Sequence, residues 1–272
     1  MKTVDFIIVG AMKSGTTSLH HWLMLSDQIY MKKQEIHFFD RADRYAENLE
    51  RYNKFLGLDE SVDDNVRVGD DTPSYSYVQE VPCRIHKVCP RAKIIWILRD
   101  PLERSISQYW HSMRRGGETR NIDQAFRDEL EGRETDKWKL YLYRSKYLWQ
   151  IKNYLEYFDQ SQMLFVDFEE FVSGGGSERK KVTDFLEVEE IESPAPHSNK
   201  TVFFPRPKIN QVINSLGVLP EKVALGIRAV SGYRRITRPR LSEEVAVAAR
   251  KYLEEDIEEL SKITGLKEYR GR

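Results

Sequence analysis

The chain has 272 residues, enough for one large α/β domain or two small ones, and 40% of them are hydrophobic. Its 43 basic and 43 acidic residues cancel, so no global field draws it to nucleic acid or to a membrane, and neither is expected as a partner. The two cysteines, Cys83 and Cys89, lack C-x-x-C spacing; with no other cysteine, neither a disulfide framework nor a zinc site is expected, and they read as reduced thiols in a cytoplasmic chain. No stretch is long and apolar enough for a bilayer. The apolar N-terminal run is short and passes straight into a charged loop, unlike a signal peptide.

In chain order, Val4 to Val9 is an apolar, β-branched run that reads as a buried strand. Gly10 to Gly15, G-A-M-K-S-G, is a glycine-bracketed turn. Thr16 and Thr17 then open a helix with Leu19, Trp22 and Leu23 on one face. Strand, glycine turn and helix make a phosphate loop, in which successive N–H groups and the helix N-terminus attract an anion. The spacing departs from the NTPase form. Thr16, not Lys, follows the second glycine, and Lys13 sits inside the turn. There it can reach a group close to a single 5′-phosphate. This arrangement resembles the sulfotransferases that use 3′-phosphoadenosine-5′-phosphosulfate (PAPS), in the branch of the heparan-sulfate enzymes and their bacterial relatives. The resemblance implies that Lys13, Ser14, Gly15, Thr16 and Thr17 hold the nucleotide.

Gln28 to Met31 reads as a short strand, followed by K-K-Q-E-I-H-F-F-D, Lys32 to Asp40. In an extended segment Glu35 and His37 share a face, and either could take a hydroxyl proton. Phe38 and Phe39 would anchor the segment in the core. The E-x-H-F-F-D string is similar to the heparan-sulfate enzymes, which implies Glu35 as catalytic base with His37 assisting. Arg41 to Leu56 reads as one surface helix with Tyr45, Leu49, Tyr52 and Leu56 in a stripe. Val66 to Gly69 is a strand leading into D-D-T-P-S-Y, Asp70 to Tyr75. The family has a similar T-P-S-Y segment beneath its acceptor site, with Lys just before it in the heparan-sulfate enzymes; here that position is Asp71.

Val78 to Val88 reads as a helix. Lys93 to Leu98 is a continuous apolar run, as in a parallel strand covered on both faces. Arg99 ends it, at the strand edge where open α/β sheets bind ligands, and Pro101 opens the next helix. Ser107, eight residues past Arg99, is about two helical turns on. An arginine plus a hydroxyl suits a phosphate monoester. The R-D-P-x-x-R-x-x-S-x-Y pattern resembles the family's 3′-phosphate segment, with Arg99 and Ser107 at its ligand positions. Asp100 is the rival reading, a metal-binding carboxylate of an NTPase.

Arg114 to Arg120 is a polar loop with three arginines, either an acceptor rim or solvated surface. Ile122 to Leu130 and Trp138 to Phe158 read as helices, and Met163 to Asp167 as a strand. Ser173 to Ser177 is a flexible connector before a helix from Glu178 to Leu186. Glu189 to Pro207 is an extended loop containing H-S-N-K-T, His197 to Thr201; a similar loop in the family makes Lys200 a candidate partner of the 3′-phosphate or sulfonate. Short helices are expected at Gln211 to Leu216 and Pro220 to Val230. Arg228, Arg234, Arg235, Arg238 and Arg240 form a basic cluster whose role stays open between anion binding and solvated surface. Leu241 to Ile263 is a long amphipathic helix with a capping signature at Ser242.

The expectation is one α/β domain over residues 1–272, a parallel sheet flanked by helices around the phosphate loop. The resemblance implies transfer of a sulfonate from PAPS to a hydroxyl, with an amine as the lesser alternative, releasing 3′-phosphoadenosine 5′-phosphate (PAP) and requiring no metal. Lys13 would stabilise the leaving group. The acceptor would be a carbohydrate or another small molecule; oligomeric state is not specified. The rivals are a Mg-ATP kinase and a non-catalytic nucleotide-binding module.

Overall fold

The strands of the computed structural model form a five-stranded, wholly parallel sheet in the order β2-β3-β1-β4-β5. The structure describes residues 3–58, 62–63, 65–173, 176–194, 240–267 and 269. The strands are β1 (Phe6–Gly10), β2 (Ile29–Met31), β3 (Arg67–Asp71), β4 (Lys93–Leu98) and β5 (Met163–Asp167). The helices are α1 (Thr16–Leu23), α2 (Leu49–Leu56), α3 (Val81–Val88), α4 (Pro101–Arg115), α5 (Ile122–Leu130), α6 (Tyr147–Leu155), α7 (Phe168–Ser173), α8 (Ser177–Leu186) and α9 (Glu243–Thr264). The chain divides into two compact units: Met1–Asp100, Tyr147–Ser198 and Ile257–Arg272 form one, and Pro101–Lys146 and Asn199–Asp256 the other.

The first unit holds the sheet. Central strands β1 and β4 have no exposed face, which is why both are continuous apolar runs. Alternate residues serve two cores. Ile7, Val9, Ile94 and Trp96 pack with Tyr52, Tyr75, Ile151 and Tyr154 on one face. Phe6, Ile8, Ile95 and Ile97 pack with Leu19, Trp22, Leu23 and Phe171 on the other. Each fully buried aliphatic or aromatic side chain here stabilises the fold by about 1.5–3 kcal/mol.

The strand order creates a switch point. From β1 the chain leaves toward β2 on one side, and from β4 it leaves toward β5 on the other. Open α/β sheets bind ligands at the carboxyl ends of such diverging strands. Gly10 ends β1 and Arg99 follows β4, and the two strands are hydrogen-bonded neighbours.

In the second unit, Tyr109, Phe126 and Tyr141 are buried together, the last two stacked. Arg104 is buried and donates to Ser145 Oγ, Gln108 Oε1 and the Tyr141 carbonyl. Arg127 and Glu244 pair through both guanidinium nitrogens and both carboxylate oxygens, tying α5 to the start of α9.

Two expected helices are shorter than their periodicity suggests. Arg41 to Leu56 is helical only from Leu49, because the Asn48 side chain accepts the Arg51 N–H and caps the helix there. Tyr45 still joins the aromatic cluster with Phe38 and Phe39, from a turn. Within Trp138 to Phe158 only α6 is α-helical, and it is preceded by short 3-10 turns at Lys137–Lys139 and Tyr143–Ser145. Upstream, the buried Glu129 carboxylate accepts the N–H groups of Leu142 and Tyr143, and Asp136 accepts that of Trp138. Side chains take the N–H groups that a longer helix would have used. Lys200, the H-S-N-K-T loop, the two expected helices between 211 and 230 and all of the basic cluster except Arg240 lie outside the described residues.

Candidate active site

The loop after β1 is stitched to the neighbouring strand. The Ala11 N–H donates to the Ile97 carbonyl at 2.9 Å, and the Ser14 N–H to the Ala11 carbonyl at 3.0 Å. Lys13 and Gly15 both take left-handed backbone, φ 73° and 97°. At Gly15 only glycine fits, since a Cβ there would lie 2.3 Å from Phe168 Cδ2. Gly15 is also the N-cap of α1, whose first turn has no acidic residue to cancel the positive end of the helix. A helix start leaves N–H groups without intrahelical acceptors. Thr17 is exposed there, Thr16 is buried and Lys13 is half-buried.

Ser14, expected among the residues that hold the nucleotide, turns its side chain inward. Its side chain is fully buried, with Oγ 3.3 Å from the Tyr147 hydroxyl. That hydroxyl donates to the Arg99 carbonyl at 3.1 Å, so Ser14 Oγ is the donor to Tyr147. Both donors of Ser14 are thus engaged inside the fold, linking the loop to the end of β4. Tyr147 opens α6 and is buried there with Ile151 and Tyr154, and nothing in the sequence singles out its hydroxyl.

Arg99 is half-buried. Its guanidinium lies over the Phe168 ring, 5.3 Å from the centroid, and Nε is 3.5 Å from Glu169 Oε1. Burial, then repulsion from Asp167, pushes the Glu169 carboxyl up to about 7, against the pull of Arg99. Phe168 and Glu169 therefore brace both the glycine corner and the arginine. The sequence trace of this is the F-E-E-F string, Phe168 to Phe171, directly after β5, and no spacing within it signals the role. Ser107 lies half-buried on α4, in the second unit.

Glu35 and His37 come together as expected, though not by strand alternation. His37 has left-handed backbone, φ 51°, and its Nε2 lies 3.0 Å from Glu35 Oε2. Its Nδ1 lies 2.8 Å from Asp40 Oδ2, which also accepts a short hydrogen bond from Ser74 Oγ. The hydrogen bonds to Asp40 and then Glu35 raise the imidazole to about 9, beyond what burial subtracts. Burial would raise Asp40; the hydrogen bonds from His37 and Ser74 reverse this and leave it below the usual carboxylate range. At neutral pH His37 is therefore an imidazolium with no lone pair for a proton. Of the two candidates for the base, Glu35 alone can accept one.

Asp71 ends β3 on the same edge and is nearly buried. It pairs with His20 Nδ1 at 3.4 Å, while its Oδ1 has no hydrogen-bond partner among the described residues. Burial raises its pKa; His20 lowers it and Glu35 raises it further. The loop arginine Arg120 has a structural role: it pairs with Glu118, Asp128 and Glu134 at 2.6–2.9 Å.

A glycine-cornered anion cradle at the switch point of a parallel sheet defines an α/β protein of the phosphate-loop class. The chain belongs to the sulfotransferase family, whose sulfotransferase-domain model matches residues 3–262. It is 34% identical over 186 residues to heparan sulfate glucosamine 3-O-sulfotransferase 6 of Mus musculus, covering 68% of this chain and 52% of that protein. It is 29% identical over 201 residues to heparan sulfate glucosamine 3-O-sulfotransferase 3B1 of Homo sapiens, covering 73% and 50%. The chain thus spans about half the length of the curated relatives it matches. The fold matches a sulfotransferase from Alicyclobacillus acidocaldarius with TM-score 0.71 over 100% of both chains, at 21% identity. No helix among the described residues is long and apolar enough to cross a membrane.

Proposed function

We propose that the protein transfers a sulfonate from PAPS to a hydroxyl of an acceptor and releases PAP. The observation that carries this reading is the adjacency of the Gly10–Gly15 cradle and Arg99 at the carboxyl ends of neighbouring strands. That pair suits the two ends of a doubly phosphorylated adenosine, and the residues fit it: a Cβ-free corner, a helix start without acid, and a half-buried guanidinium.

PAPS supplies an activated sulfonate whose leaving group is PAP. Glu35 takes the proton of the acceptor hydroxyl as its oxygen bonds to sulfur. The His37 imidazolium, held by Asp40, orients Glu35. As the bond from sulfur to the 5′-phosphate oxygen breaks, Lys13 and the N–H groups of Gly15, Thr16 and Thr17 stabilise the charge that returns to that oxygen. Arg99 grips the 3′-phosphate, and Ser107 and Lys200 are assigned to it by resemblance. Catalysis is positioning and electrostatics, as in phosphoryl transfer, and the scheme requires no metal.

The relatives' names support a carbohydrate acceptor. Asp71, where the heparan-sulfate enzymes carry Lys, adds a carboxylate beside Glu35 and favours a neutral hydroxyl compound over a polyanion. Calorimetry with PAP and with Mg-ATP, together with a PAPS-dependent screen of neutral and sulfated oligosaccharides, tests this. Binding of PAP and turnover of a neutral acceptor are expected. Binding of Mg-ATP with no affinity for PAP would make the protein a kinase-type enzyme instead.

A further inference from the structure

Four consecutive backbone N–H groups of the Glu35 strip are held by only two side chains. Ile36 and His37 donate to Thr72 Oγ1 at 3.2 and 3.3 Å. Phe38 and Phe39 donate to the Tyr75 hydroxyl at 3.0 and 3.3 Å. An N–H can only donate, so each hydroxyl spends its lone pairs there and must send its proton elsewhere. Both protons go to one group: Thr72 Oγ1 lies 3.0 Å from Asp70 Oδ1, and the Tyr75 hydroxyl 3.1 Å from Asp70 Oδ2. Tyr52, on α2, donates to the same Oδ2 at 2.9 Å. Asp70, Thr72, Tyr75 and Tyr52 are all at most 1% exposed.

We propose that Asp70 is a positioning residue for the transfer reaction, setting the backbone of the Glu35–Phe39 strip through the hydroxyls of Thr72 and Tyr75. This rests on Glu35 and His37 acting as described above. The left-handed backbone of His37, φ 51°, is strained and persists only where its surroundings over-determine it. The two hydroxyls provide that constraint, clamping the N–H of His37 and of the residues on both sides of it. Because Asp70 is β-sheet backbone, in register with Ile7 of β1, it ties the strip to the strand that ends in the phosphate loop. Glu35 and the loop are thereby located from one rigid element, which a transfer along a line between donor and acceptor requires.

Thr72→Val keeps the shape and removes the hydroxyl; Thr72→Ser restores it; Tyr75→Phe removes the second hydroxyl. The His37 ring is followed by NMR titration in the full chain, with PAP calorimetry as the check on fold and turnover measured on the acceptor found in the screen. Thr72→Val and Tyr75→Phe should each move the His37 midpoint down from about 9 by about one pH unit or more. Turnover should fall on the order of 10²-fold with PAP affinity kept, and Thr72→Ser should behave as wild type. Unchanged His37 midpoints in Thr72→Val and Tyr75→Phe would overturn the proposal, as would equal losses in Thr72→Val and Thr72→Ser. The midpoint needs no turnover, so a wrong base assignment shows separately, as a Glu35→Gln protein that stays active while Thr72→Val still shifts His37.

Discussion

Glu35 Oε2 lies 3.0 Å from His37 Nε2, and the other ring nitrogen of His37 is engaged by Asp40. An imidazole bracketed by two carboxylates carries its proton and serves as the clamp for Glu35.

The His37 ring should therefore titrate near 9 rather than near 6.5. Its folded pKa is above the unfolded value, so its stabilisation is complete below pH 6.5 and lost as the pH rises through about 9. NMR titration checks this. Asp40→Asn should lower the midpoint most and Glu35→Gln less, in the order of their contributions. A midpoint near 6.5 in the unsubstituted protein would refute the bracketed pair.

Glu35→Gln keeps the size of the side chain and a hydrogen bond to His37 while removing the proposed base. Turnover should fall about 10²–10⁴-fold, the usual worth of a general base. Calorimetry should find PAP affinity nearly intact. Retained turnover would show that another group takes the proton.

Arg99→Ala removes the cation proposed for the 3′-phosphate. Hydrogen bonds to charged groups are worth about 1.5–3 kcal/mol, so PAP should bind roughly ten- to a hundredfold more weakly. Adenosine 5′-phosphosulfate, which lacks that phosphate, should lose little. Equal losses for the two ligands would place Arg99 elsewhere on the nucleotide.

Gly15→Ala forces a Cβ against Phe168 at a left-handed position. The backbone strain alone is on the order of 1–3 kcal/mol, and the steric clash adds to it. Thermal stability and PAP affinity should both fall. Adding Phe168→Ala should recover part of the stability by removing the obstructing ring. No recovery would mean that backbone strain carries the whole cost.

Much of the candidate site was legible because its signals are local. A glycine at each end of a six-residue turn after an apolar run, an arginine at the end of another, and Glu-x-His before two phenylalanines can each be read from adjacent residues. Burial on both faces leaves an unmistakable apolar run, so β4 is where the sequence put it. Helix ends at 41–56 and 138–158 were not legible, because Asn48, Asp136 and Glu129 diverted N–H groups that periodicity cannot see.

From its sequence alone the chain determined a phosphate loop with its lysine inside the turn, an arginine-ended strand and a carboxylate next to an imidazole. Tertiary structure decided which strands are neighbours and hence that loop and arginine share one edge. It also decided that His37 sits between two carboxylates that raise its pKa, that Ser14 turns inward to Tyr147, and that Asp70 gathers the hydroxyls beneath the strip. The reason is physical: chain spacing encodes backbone conformation, whereas the charge and orientation of a side chain depend on partners distant in sequence that only packing brings within hydrogen-bonding reach.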